Sequence, residues 1–207
     1  MKGKFITIEG GEGAGKSTMM DHLAGWLESR GHSVVRTREP GGTVLAEKIR
    51  AILLDDQHGE LCGQSELLLV FASRAQHLEE LIRPALARGD TVLCDRFTDA
   101  SWAYQGGGRQ MPSEWIAALE EMVHGDLQPD LTLLLDLPVE QGLERASRRG
   151  DADRFEQEPS RFFERVRQAY LARAKSSASR FEIIDASGEM DQVWSHIDSV
   201  LERRLGQ

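Results

Sequence analysis

Residues 8–18 read IEGGEGAGKST, with Gly10, Gly15, Lys16 and Ser17 in the spacing G-x-x-x-x-G-K-[ST]. The apolar stretch KFITIEG (4–10) comes immediately before this turn, and a helical run from about Lys16 to Arg30 comes immediately after. In that run Met19, Met20, Leu23, Trp26 and Leu27 lie close to the i, i+3, i+4, i+7 spacing of one buried face, and Gly31 stops it. Strand, glycine-rich turn and helix in that order make a phosphate loop. The backbone of Gly10, Gly11, Gly13, Ala14 and Gly15 can turn N–H groups toward phosphate oxygens, aided by the partial positive charge of the helix N-terminus where Thr18 lies. Lys16 would reach the β- and γ-phosphates of a nucleoside triphosphate, and the Ser17 hydroxyl would bind the Mg²⁺ that bridges them. Glu12 is the anomaly, a carboxylate inside a loop built for an anion.

Outward from this loop, apolar strands alternate with helices. SVVRTREP (33–40) reads as a strand ending at the Pro40-Gly41-Gly42 break, and TVLAEKIRAILLDD (43–56) as a helix. A third helix runs from about Ser65 to Ala87. DTVLCDR (90–96), DLTLLLDLP (130–138) and RFEIIDAS (180–187) read as strands. VEQGLERASRR (139–149), SRFFERVRQAYLARAKSSA (160–178) and EMDQVWSHIDSVLERRL (189–205) read as helices. The alternation predicts an α/β fold, a parallel β-sheet flanked by helices on both faces, in one domain spanning 1–207. QGGGRQMPS (105–113) and RGDADRFEQEPS (149–160) lack periodicity and are candidates for movable segments.

Composition removes several classes. A net charge of −9 opposes binding to a nucleic-acid polymer, so any anionic ligand must be met by local cations. No apolar run reaches membrane-spanning length and the start lacks a secretion signal, so a cytoplasmic protein is expected, with no membrane partner. Cys62 and Cys94 form no C-x-x-C pair and the histidines are scattered, which argues against a structural metal. A guanine-reading N-K-x-D is absent, and the one D-x-x-G, Asp185 to Gly188, stands too near the C-terminus for a switch GTPase.

A kinase needs cations at strand ends to clamp a second anionic substrate. CDRF supplies one, because a buried strand delivers Asp95 and then Arg96 at its C-terminal edge, where such sheets bind ligands; a plain Asp–Arg surface pair is the alternative. Arg145, Arg148, Arg149 and Arg154 form a local basic cluster, with Arg145 and Arg149 four apart on one helix face. Arg74 is a guanidinium in a very apolar helix and needs an acceptor.

Together GGEGAGKST, TREPGGT, FASRAQH, CDRFTDASWAYQGGGR and RASRRGDADRFE, in order from residue 10 to 156, resemble the thymidylate kinases of the bacterial type, and IDAS near the end also fits. The resemblance implies a nucleoside monophosphate kinase-like fold with a small mobile lid at about 145–160, ATP and dTMP as substrates, Mg²⁺ as cofactor and a homodimer packed through helices. Phe71 would stack on thymine and Arg74 would donate to its O4, although plain core packing is the ordinary fate of a phenylalanine here. Gln105, with Ser101 close by, would read the base edge at N3, and Tyr104 would lie against the sugar, a half-buried aromatic with a wet hydroxyl being the alternative for Tyr104. Arg38, Glu39, Arg50 and Arg96 would border the monophosphate and sugar, with Arg50 equally able to be a solvated helix residue. Arg149 and Arg154 would reach charge on the transferring phosphoryl group as the lid closes, since Gly13 stands where the eukaryotic type carries a loop arginine. Arg145 and the DASG loop would flank adenine. Asp95, with Glu9 beside it, would orient magnesium-bound water. Glu12 would face away from ATP and accept a hydrogen bond from the 3′-hydroxyl of the acceptor, the alternative being a solvent-facing carboxylate.

Overall fold

The computed structural model describes residues 3–55, 61–148 and 154–206. Five strands, β1 (Phe5–Gly10), β2 (Val34–Arg38), β3 (Thr91–Asp95), β4 (Leu131–Asp136) and β5 (Phe181–Asp185), form one sheet in the order β2-β3-β1-β4-β5, every pair parallel. β1 is buried along its whole length, and its side chains alternate between two cores as a strand's period of two requires. Ile6 and Ile8 join Leu133, Leu135 and the apolar faces of α1 (Lys16–Glu28) and α9 (Met190–Leu205). Phe5 points to the other face, where it packs with Val92, Cys94 and Phe97. The expected α/β sheet with helices on both faces is what the chain forms.

α2 spans Val44–Leu54 and α3 spans Gly63–His77. The long helix expected from Ser65 to Ala87 is broken into three pieces: α3, a π-helical turn at Leu78–Ile82, and α4 (Arg83–Arg88). Pro84 lies in the first turn of α4; its missing N–H and its ring cannot continue an α-helical ladder, and the wider turn just before it absorbs the mismatch.

After β3 the chain enters α5 (Thr98–Ser101), which widens into π-helical turns over Trp102–Gly108. Within the stretch 105–113, read as a candidate movable segment, the π-helical turns up to Gly108 are pressed against α8 (Ser160–Ser176). A Cβ added at Gly108 would come within 2.4 Å of the Phe162 ring, and one at Gly107 within 2.8 Å of the Arg165 carbonyl oxygen. Those glycines set the distance between two helices rather than loosening a loop. α6 (Ser113–Val123) was not expected from sequence; only Ile116 of it is buried, too narrow a face to give a strong period. α7 spans Val139–Ser147.

Candidate active site

At the C-terminal edge of the sheet a cleft of about 270 Å³ runs from the phosphate loop to α3 and α5, the edge where open α/β sheets bind ligands. One wall is backbone. Gly13 and Gly15 have φ of 70° and 87°, and Gly15 caps α1 from a left-handed conformation that only glycine adopts without strain. Gly13 also packs so closely on α7 that a Cβ would lie 2.0 Å from the Gly142 carbonyl oxygen. Lys16 lies folded across the loop, its Nζ donating to the carbonyl oxygens of Gly10 (3.1 Å) and Gly11 (2.8 Å). Ser17 and Thr18 are exposed at the helix start.

The facing wall is made of side chains from separate elements. Arg96 has φ of 67°, in the left-handed region, immediately after β3, and this reversal brings its guanidinium back over the loop. Its Nη2 donates to Glu12 Oε1 at 2.6 Å and to the Tyr104 hydroxyl at 2.8 Å, and the Tyr104 hydroxyl donates to the same Glu12 oxygen at 2.8 Å. Burial would raise the Glu12 carboxyl, but Arg96, Lys16 and the Tyr104 hydroxyl outweigh it and hold its pKa down to about 2. Glu12 is thus held toward Arg96 and Tyr104 on the facing wall of the cleft.

Deeper in the cleft Arg74 is wholly buried and three-way bonded. Its Nε donates to Glu39 Oε2 (2.6 Å), its Nη1 to the Ser101 hydroxyl (3.1 Å) and its Nη2 to the Phe97 carbonyl oxygen (3.1 Å). Glu39 is the acceptor that a guanidinium in so apolar a helix required, and it also bonds His77 at 3.0 Å. Burial would raise the Glu39 carboxyl, but the charge of Arg74 and the contacts with His77 hold it below the usual range. Arg50 reaches the Pro40 carbonyl oxygen at 2.9 Å, while Arg38, more exposed, pairs with Glu47 through two nitrogens. Both line the cleft.

Two buried atoms beside the loop, Asp95 Oδ1 and Arg96 Nε, have no hydrogen-bond partner among the described residues. At the far side of the loop Arg145 donates to the Ala186 carbonyl oxygen at 3.0 Å, so α7 and the DASG turn after β5 stand together.

A sequence model of the family described as Thymidylate kinase matches residues 8–197. The chain is 60% identical to the thymidylate kinase of Pseudomonas putida, over 97% of this chain and 96% of that one. It is 58% identical to that of Pseudomonas syringae pv. tomato, over 99% and 98%. The crystal structure of the Ehrlichia chaffeensis thymidylate kinase superimposes with a TM-score of 0.80 at 32% identity, covering 97% of this chain and 100% of that one. The chain belongs to the thymidylate kinase family. It is a nucleoside monophosphate kinase, and its reaction transfers the γ-phosphoryl group of ATP to dTMP, giving dTDP and ADP.

Within this kinase fold the cleft collects Glu12, Lys16, Ser17, Arg38, Glu39 and Arg50 with Arg74, Asp95, Arg96, Ser101, Tyr104 and Gln105. Phe71 departs from expectation. It does not line the cleft but packs with Leu67 and Ile116, its ring 4.5 Å beneath the Arg74 guanidinium, so it supports the arginine from the core side. Val70, one position earlier, faces the cleft with Leu53, Leu54, Phe97 and Phe155; on a helix one residue is about 100° of rotation, and that is enough to exchange core for cavity. Glu9 departs too. It shares the Phe5 face of β1, is fully buried, and accepts from the Phe97 amide (2.7 Å) and the Tyr170 hydroxyl (2.8 Å).

Arg154 lies beside α2 and α3. It donates to the Leu53 carbonyl oxygen and to Glu66 rather than reaching the phosphate loop. Arg149 lies outside the described residues. Sequence reasoning passed over Glu66, although a carboxylate in SELLLVF carries the same signal that singled out Arg74.

Proposed function

We propose that the cleft performs the transfer by positioning and charge alone, with Mg²⁺ as the cofactor and no general base. The attacking oxygen belongs to a phosphate already anionic at neutral pH, so the protein needs to align two anions and stabilise the charge between them. The observation that carries this is the meeting of Lys16 and Arg96 across one cleft, with Glu12 between them. Lys16, once released from the Gly10 and Gly11 carbonyls, would follow the β- and γ-phosphates. Arg96 would hold the acceptor phosphate through its unpartnered Nε, with Arg38 and Arg50 at its border. Glu12 would accept from the 3′-hydroxyl of dTMP. Arg74 with Ser101, and Gln105, would meet the base edge, and Tyr104 the sugar. Arg145 and the Ala186 turn would flank adenine.

The residues present suit Mg²⁺. That ion keeps several waters and takes one or two protein oxygens beside substrate phosphates, and here the exposed Ser17 hydroxyl and the unpartnered Asp95 Oδ1 stand at the loop. When bound it would neutralise phosphate charge during transfer. Arg149 keeps its sequence-based assignment to the transferring phosphoryl group, and Arg154 would serve there only on leaving Glu66. A homodimer is supported by apolar side chains left outward on neighbouring helices, Leu68 on α3 and Trp115 and Met122 on α6; sedimentation of a Leu68→Lys, Met122→Lys variant should show monomers. A cytoplasmic location accords with bacterial relatives and with no described helix being long and apolar enough to cross a membrane.

ADP release measured with ATP and Mg²⁺ against dTMP, dUMP, UMP, dCMP, dGMP and AMP should show a strong dTMP-dependent rate and a weak one with dUMP. Turnover with another acceptor would sink the base-edge assignments. Glu12→Gln should raise KM for dTMP about tenfold, the scale of one charged hydrogen bond, with KM for ATP unchanged.

A further inference from the structure

Glu66 opens α3, is fully buried, and receives four N–H donors from three side chains. Gln105 Nε2 and Arg109 Nε donate to its Oε1 at 2.9 and 3.3 Å, and Arg109 Nη2 and Arg154 Nη2 donate to its Oε2 at 3.2 and 2.7 Å. Arg109 is tied in turn to Glu158. A buried carboxylate with this many partners is costly to assemble, and nothing in the phosphoryl transfer uses it.

Its chemistry constrains Gln105. Bonded to two guanidinium groups, Glu66 is an acceptor at both oxygens, and only the amide nitrogen of Gln105 can satisfy it. The amide oxygen must then point the other way. Gln105 forms part of the cleft wall, and its Oε1 makes no hydrogen bond with any described residue. The base pocket is thus offered an acceptor and not a donor. Thymine and uracil carry a donor at N3, whereas cytosine carries an acceptor there, which would face Oε1 with no proton between them.

We propose that Glu66 is the positioning residue for pyrimidine selectivity: by fixing the Gln105 amide with its oxygen toward the base, it admits bases with an N3–H and rejects those without. The inference rests on the reading in which Gln105 faces the base edge. Glu66→Gln would offer Gln105 either an oxygen or an NH₂ group and so permit the flipped amide.

The test compares kcat/KM for dTMP and dCMP in wild type, Glu66→Gln and Gln105→Ala. Glu66→Gln should lower the dTMP to dCMP ratio by about tenfold, the scale of a mispaired polar group. A purely structural role would lower both substrates together and leave the ratio alone. A ratio lowered in Gln105→Ala but unchanged in Glu66→Gln overturns the role of Glu66 and leaves the Gln105 reading standing; an unchanged ratio in Gln105→Ala sinks both. A measurement on the wild type removes dependence on a folded variant. The ¹⁵N side-chain resonance of Gln105 should show amide protons protected from exchange before ligand is added and little shifted by dTMP. A large shift on dTMP binding would mean that the nitrogen faces the base, and the proposal would fall.

Discussion

On one side of the cleft, the phosphate loop owes its shape to Gly10, Gly13 and Gly15 and presents backbone to its ligand. On the other, Arg74 from α3, Glu39 after β2 and Ser101 from α5 are joined by side-chain hydrogen bonds through Arg74, and Arg96 after β3 is bonded to Glu12 and Tyr104, before any substrate arrives. The two walls should therefore fail differently. A side chain removed from the loop leaves the fold with little to repair, because the backbone keeps its own geometry. One removed from the side-chain wall leaves a buried partner unpaired, so stability and affinity should fall together.

Lys16→Ala gives the sharpest form of this contrast. Turnover should fall by about 10³-fold, the scale of losing a preorganised cation at a developing charge, while the urea midpoint moves little. A midpoint that collapsed with activity would erase the distinction. Arg74→Leu should do the reverse in part, costing about 3 kcal/mol of stability because Glu39 stays buried without its guanidinium, with dTMP affinity lost as well. If that variant unfolds at the wild-type urea concentration, the side-chain wall is not self-supporting.

Glu9 lies at the seam between the walls, and its effect is one of pH. Burial, with the nearby charge of Asp99, raises its carboxyl from 4.5 to about 8. The folded state thus keeps a proton that the unfolded chain releases above pH 4.5, so stability falls as pH rises from there through 8 and then levels. Between pH 6 and 7.5 the loss should be about 1 kcal/mol per pH unit. Melting temperatures of Glu9→Gln should be flatter across that window; an equally steep profile in the variant would assign the slope elsewhere. The smallest effect belongs to Phe71→Leu, about 1 kcal/mol of packing with KM for dTMP nearly unchanged. A large rise in that KM would return Phe71 to the base pocket.

The same contrast explains what the sequence could tell. A contiguous loop between a strand and a helix carries its function in spacing, so Gly10 to Thr18 could be read directly, and the alternation of apolar runs was enough for the sheet. The side-chain wall comes from residues far apart in the chain, and that they belong to one cleft could be expected only from several motif blocks taken together. Even then, Phe71 and Val70 are indistinguishable in an apolar run, because which of two adjacent residues faces a cavity depends on how α3 is rotated against α6. The break at Pro84 and the packed glycines at 107 and 108 were missed because a π-helical turn has no hydrophobic period of its own. Glu66 was discoverable by the rule that picked out Arg74, a charge that must find a partner.

The left-handed backbone at Arg96 has a consequence for anyone trying to improve this enzyme. Glycine or asparagine would suit that conformation better by about 1 kcal/mol, and a scheme that scores folded-state comfort alone would install one. It would delete the guanidinium that meets Glu12 and Tyr104 and release the turn that aims it. The position is one where selection for robustness and selection for turnover pull in opposite directions, and the arginine records which prevailed.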